Sequence, residues 1–176
     1  MRRNDFLRTV QSRAARVAVG PSTVRGRGNA GTVLAARRFL GQVDLAEFGV
    51  GPDEFRTVLD RETRALRAAL PRGARHWGIA RKLLNIFLRD SLYTVYLASA
   101  YKLDRAEAAL ELPLDSITAR KLKNLGSRGA LPTWPGVKYL DREVSDRFQE
   151  AASVEAARRR VARVHLDAIW WSLDRD

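Results

Sequence analysis

The chain contains no cysteine among its 176 residues. That excludes disulfides, thiol nucleophiles, iron–sulfur clusters and zinc-thiolate sites, and it fits a reducing compartment. Histidine is nearly absent: His76 and His165 are the two present, too few for a histidine-built metal centre. No apolar run reaches the length needed to span a bilayer; the longest, Ser91–Ala100, is interrupted by Tyr and Thr. Acidic residues are scarce relative to basic ones. Twenty Asp+Glu face thirty-two Lys+Arg, a net charge of +12, and five of the thirty-two are Lys. A surplus of this size on a chain that is 45% hydrophobic points to a folded protein with a polyanionic partner.

Apolar spacing and punctuation predict helices throughout. Asn4 is a candidate cap for a helix over Asp5–Val19, ended by Gly20-Pro21. This N-terminal stretch has the Arg-rich composition of a transit peptide, but its spacing reads as an ordered helix. Ser22–Gly31 reads as a Gly/Arg loop. Thr32 starts a helix to about Leu40, and Pro52 opens another that Pro71-Arg72-Gly73 stops. The longest segment, Gly78–Tyr101, carries apolar residues at 83, 84, 87, 88, 92 and 95. A short helix is expected over Leu103–Leu110 and another from Asp115 or Ser116 to Asn124. Asp141 caps a helix through Phe148, and a last helix runs near Val154–Leu173. No alternating strand is evident. The expected fold is all-α, a single domain over 1–176.

Gly26-Arg27-Gly28-Asn29-Ala30-Gly31 formally reads G-x-G-x-x-G. It lacks the preceding strand and following βαβ unit that a dinucleotide site needs. Backbone N–H groups there, with Arg25 and Arg27, suit a nucleic-acid phosphate; a plain glycine turn is the equal alternative.

Two segments carry the chemistry. The first is Gly78-Ile79-Ala80-Arg81-Lys82-Leu83-Leu84; the second is Leu112-Pro113-Leu114-Asp115-Ser116. Together they resemble the helix-hairpin-helix superfamily of DNA glycosylases, in which G-x-x-[RQ]-K opens a helix and P-[VIL]-D opens a later one. The resemblance covers about Arg75–Lys123. It departs from the common pattern in a degenerate hairpin, with only Gly78 in register, and in a 33-residue interval from Lys82 to Asp115. The long interval is similar to the archaeal 8-oxoguanine branch. The resemblance implies a two-lobed helical bundle with a cleft between lobes, split roughly as 1–72 with 126–176 against 73–125. It implies Lys82 and Asp115 as catalytic residues, no cofactor, no metal, and a substrate of double-stranded DNA bearing a modified base.

Both residue types suit that reaction. Breaking an N-glycosidic bond builds positive charge on the deoxyribose, which a carboxylate at C1′ stabilises. A lysine amine can attack C1′ and go on to strand cleavage through a Schiff base, provided it sheds its proton; burial beside Arg81, Arg75 or Arg89 would help. The target base must leave the stack, so a pocket is expected. Candidate walls are Trp77, Asn85, Tyr93, Trp134, His165, Asp167 and Trp170. Candidate phosphate contacts are Arg25, Arg27, Arg75, Arg81, Lys121 and Lys123, with Arg37, Arg38 and Arg128. The base is left open between 8-oxoguanine and a hypermodified cytosine such as glucosylated hydroxymethylcytosine in phage DNA, a repair or a defence role. The expected protein is a monomer in the cytoplasm, associated with the nucleoid and not with a membrane. Two other classes stay open: a HEPN-type ribonuclease using Arg160 and His165 in R-x4-H spacing on the last helix, and a non-enzymatic helical DNA-binding protein.

Overall fold

A computed structural model describes residues 2–24, 31–126 and 129–173. Among these the fold is all-α, with eight α-helices and no strand. In chain order they are α1 (Arg3–Ala18), α2 (Gly31–Leu40), α3 (Pro52–Ala69), α4 (Trp77–Leu92), α5 (Val95–Tyr101), α6 (Ser116–Leu125), α7 (Arg142–Arg159) and α8 (Leu166–Leu173). Short 3₁₀ turns link them, including Val137–Tyr139 and Arg163–His165.

α4 is the central element and packs on α1, α2 and α3. Its buried stripe, Ile79, Ala80, Leu83, Leu84, Phe87 and Leu88, follows the 3.6-residue period of an amphipathic helix. These side chains join Leu40, Phe48, Phe55, Leu59 and Leu66 in one large apolar cluster. A second cluster holds Leu112, Leu114, Ala119, Leu122, Phe148, Ala152, Leu166 and Trp170. The first cluster draws mainly on residues before 111 and adds Val137 and Val164 from later in the chain; the second draws on residues from 112 onward. α4 belongs with α1–α3 because its apolar face is shared with them. Trp134 packs against both clusters.

Several helix limits differ from the sequence expectation. Asn4 lies inside α1 and does not cap it, and the helix expected over Leu103–Leu110 is a 3₁₀ turn over Leu103–Ala106. The segment over 78–101 breaks at Thr94, whose side-chain hydroxyl donates to the Asp90 carbonyl at 2.8 Å. That carbonyl would otherwise receive the next helical N–H, so the side chain substitutes for the backbone. The two helices expected over 141–148 and 154–173 are instead one long α7 followed by a turn and α8. Nothing between Gln149 and Ser153 stops a helix. Arg160 stops it, adopting a left-handed conformation at φ 57°, with Val161 N–H bonded back to the Ala156 carbonyl at 3.1 Å. Arg160 and His165 therefore do not share a helix, and the R-x4-H motif loses its geometry.

Gly78 sits where α4 meets the Val137–Tyr139 turn. A Cβ there would lie 2.3 Å from the Val137 carbonyl oxygen and 2.7 Å from Leu140 Cβ. Only glycine permits this approach. Gly78→Ala is expected to destabilise the fold by about 2 kcal/mol or more, read as a lowered urea midpoint at unchanged m-value.

Candidate functional site

Lys82 projects from the second turn of α4, opposite its buried stripe. Asp115 is the N-cap of α6. Its Oδ1 accepts from the backbone N–H of Ile117 at 2.9 Å and of Thr118 at 3.0 Å, and its own N–H donates to Thr118 Oγ1 at 2.9 Å. This reciprocal capping box fixes the carboxylate plane. The other oxygen, Oδ2, lies 3.3 Å from Lys82 Nζ. One oxygen of Asp115 thus serves the fold and the other faces lysine. The pair lies in a cavity of about 380 Å³ whose walls include Ser22, Val24, Ile79, Ser116, Ile117 and Val137. That volume falls within the range of small-molecule sites.

The passage that carries Asp115 is held at each step. Glu111 is buried and receives Arg81 through two hydrogen bonds, Nε to Oε2 at 2.8 Å and Nη2 to Oε1 at 2.9 Å. Asn85 Nδ2 donates to the same Oε2 at 3.0 Å. Arg81 also reaches Thr63 Oγ1 at 2.9 Å and Asp60 at 3.0 Å. The Leu112 backbone is clasped on both sides by Gln149, which accepts its N–H at 3.0 Å and donates to its carbonyl at 2.8 Å. Arg163 serves the carbonyls of Ala109 and Leu110 at 2.8 and 3.0 Å. Arg81 and Lys82 are neighbours on α4; Glu111 and Asp115 sit at the two ends of one short passage. The two elements are thus tied twice, once by a buried bidentate pair and once by the partly buried pair in the cavity.

The structure places the other predicted residues elsewhere. Arg81 is in the core, so it is withdrawn as a phosphate contact. Arg75 donates to the Leu70 carbonyl at 2.8 Å beyond the end of α3. Arg89 is engaged by Asp90 and Asp167. Lys82 pairs with Asp115. Lys121 donates to the Trp170 carbonyl at 3.2 Å, and Lys123 is exposed. Arg37 closes the end of α1 by donating to Val19 and Arg16 carbonyls at 2.8 and 3.2 Å. Arg25, Arg27 and Arg128 lie outside the described residues, as does most of the glycine motif.

None of the expected pocket walls lines this cavity. Trp77 stacks under the Arg81 guanidinium at 5.2 Å, and Asn85 is buried on Glu111. Trp134 meets Phe148 edge-on at 5.3 Å, and Trp170 is buried in the second cluster. Tyr93 and His165 are stacked and joined at 2.8 Å, with His165 Nε2 2.8 Å from Glu107. The actual walls are aliphatic and hydroxyl-bearing. Ser22, Thr23 and Val24 reach the cavity from the turn after α1, a long-range placement that local periodicity does not encode.

Among the described residues no helix is long and apolar enough to cross a membrane, and no group of His, Cys, Asp and Glu is placed to hold a metal ion. Comparison with protein-family models, curated proteins and solved structures finds no match to this chain.

Proposed function

We propose that the protein is a DNA glycosylase, which extrudes a modified base from duplex DNA and breaks its N-glycosidic bond at the Lys82–Asp115 pair. One observation carries this reading. Two residues singled out by motif, 33 positions apart, meet at 3.3 Å in a cavity of ligand size. Asp115 Oδ2 is the oxygen left over from capping, and it would face C1′ as positive charge develops there. Lys82 Nζ beside it would attack C1′ as the base departs with a proton, giving after ring opening a Schiff base that precedes strand cleavage. The exposed hydroxyl-bearing residues Ser22 and Ser116 in the cavity favour a base with a hydroxyl-rich substituent, such as glucosylated hydroxymethylcytosine, over 8-oxoguanine. A net charge of +12 supplies sequence-independent, salt-sensitive affinity for the duplex. In this reading the protein acts as a monomer on DNA in the cytoplasm.

The direct test is mass spectrometry of bases released from a panel of modified duplexes. Release of a modified base with alkali-labile sites left behind is the expected result; no release from any duplex in the panel sinks the proposal. Borohydride added during turnover is expected to trap a covalent protein–DNA adduct, and Lys82→Gln to trap none. An adduct persisting in Lys82→Gln would remove this lysine from the lyase step.

A further inference from the structure

The carboxylates are unevenly spread along the chain. No Asp or Glu occurs over 6–43, 63–89 or 116–140, and these three stretches hold nineteen of the thirty-two basic residues. The same stretches build the cavity. Residues 22–24 come from the first, Lys82 and its neighbours from the second, and Ser116, Ile117 and Val137 from the third; Asp115 is the single carboxylate among the walls. In 63–89 much of the charge is committed: Arg67 and Arg75 donate to main-chain carbonyls, and Arg81 and Arg89 hold carboxylates. The other two stretches offer free charge. Arg13 and Arg16 of α1, Arg120 and Lys123 of α6, and Lys138 beside Val137 are all exposed. Among the described residues none of the five pairs with a carboxylate. The acids nearest to them in sequence are Asp5, at the far end of α1, and the helix caps Asp115 and Asp141.

Their placement gathers this charge at the cavity. α1 runs antiparallel to α4: Phe6, near its start, meets Tyr96 of α5 edge-on at 5.1 Å, whereas the turn that follows it shares the cavity with Lys82. Arg13 and Arg16 are therefore at the cavity end of α1. On α6, Arg120 follows Ile117 and Ser116 by three and four residues, and Lys123 follows Arg120 by three, so two cavity walls and two cations share one face.

We propose that this face is the docking surface for duplex DNA, with the cations of α1, α6 and the Val137–Tyr139 turn contacting phosphates around the cavity. Charge complementarity sets the partner class. An acidic membrane would need apolar side chains beside the cations; α1 spends Ala14, Ala15 and Ala18 in the core and leaves Val17 as its one exposed large apolar side chain. A single strand would need a row of aromatic rings for its bases. Of the exposed aromatic residues, Tyr93 and Tyr96 lie at the other end of α4, leaving Tyr139 and Trp171, too few for such a row. The inference rests on the glycosylase reading for the choice of DNA, not for the clustering of charge.

Fluorescence anisotropy with an unmodified duplex, repeated over a salt series, tests it. Arg13→Gln with Arg16→Gln, and Arg120→Gln with Lys123→Gln, should each weaken binding about ten-fold and make the log–log salt slope shallower by about two. Lysine in place of each arginine should keep the slope. Arg105→Gln with Arg158→Gln removes the same charge from exposed positions that do not wall the cavity and should change both quantities far less. Urea melts check that every variant folds. Equal loss in all three double variants would mean that net charge alone holds the DNA, and overturns the proposal. Binding a single strand as tightly as the duplex, or preferring vesicles of acidic phospholipid to DNA, overturns it too. The assay involves no base release, so failure of the modified-duplex panel sinks the glycosylase reading and leaves the docking surface standing.

Discussion

Asp115→Asn is expected to give a folded, DNA-binding protein whose base release is about 10²- to 10⁴-fold slower. Asn caps helices as well as Asp does, and its side-chain oxygen can keep both bonds to the Ile117 and Thr118 N–H groups. What the variant loses is the charge on the oxygen that faces Lys82. The substitution therefore separates the two duties that the structure assigns to the two carboxylate oxygens. Asp115→Ala would confound them, removing the charge and about 1 kcal/mol of capping together. Single-turnover base release and a urea melt on the same preparation make the comparison. A variant that is stable and excises at the parent rate would show that Asp115 is only a cap.

Glu111→Ala is expected to cost about 3–5 kcal/mol of stability. Arg81, with 3% of its side chain exposed, would keep only Asp60 as a counter-charge. Asp60 is already shared, with Arg142 at 2.5 Å and Arg56 at 3.9 Å, so the variant buries a net positive charge. Asn85 Nδ2 loses its acceptor as well. Replacing the pair together, Arg81→Met with Glu111→Leu, is expected to recover most of the loss because no buried charge is then left alone. Urea unfolding of the single and double variants decides it. A single variant within 1 kcal/mol of the parent, as an order-of-magnitude bound, would show that the network carries little of the fold's stability.

Much of this architecture was readable because it is local. The caps Asp115 and Asp141, the breaks at Gly20-Pro21 and Pro71-Arg72-Gly73, and the apolar stripe of α4 each depend on a few adjacent residues. The all-α class follows from them. Helix limits failed where a side chain overrode periodicity, as Thr94 does at the end of α4, or where an ordinary residue took a left-handed conformation, as Arg160 does. The pairing of Lys82 with Asp115 could be anticipated because the motif names both. Their surroundings could not. Trp77, Trp134 and Trp170 look like pocket walls by type, yet each is consumed by packing. Arg81 and Asn85 look available by polarity, yet both are committed to Glu111, whose position in an apolar stretch gave no hint that it is buried. The walls contributed by Ser22, Thr23 and Val24 come from a turn some sixty residues before Lys82, and only tertiary folding brings them there.

The passage from Leu110 to Asp115 has no secondary structure of its own, yet its main chain is bonded by side chains from α6, α7 and the turn before α8, and its Glu111 side chain is held by α4. Such a segment has no local state to fall back on. Its shape depends on Gln149, Arg163 and Arg81 together, so the position of the Asp115 carboxylate is expected to be lost early in partial unfolding. On the glycosylase reading, a chain in which this passage has opened would keep Lys82 on α4 but lose the carboxylate that faces it.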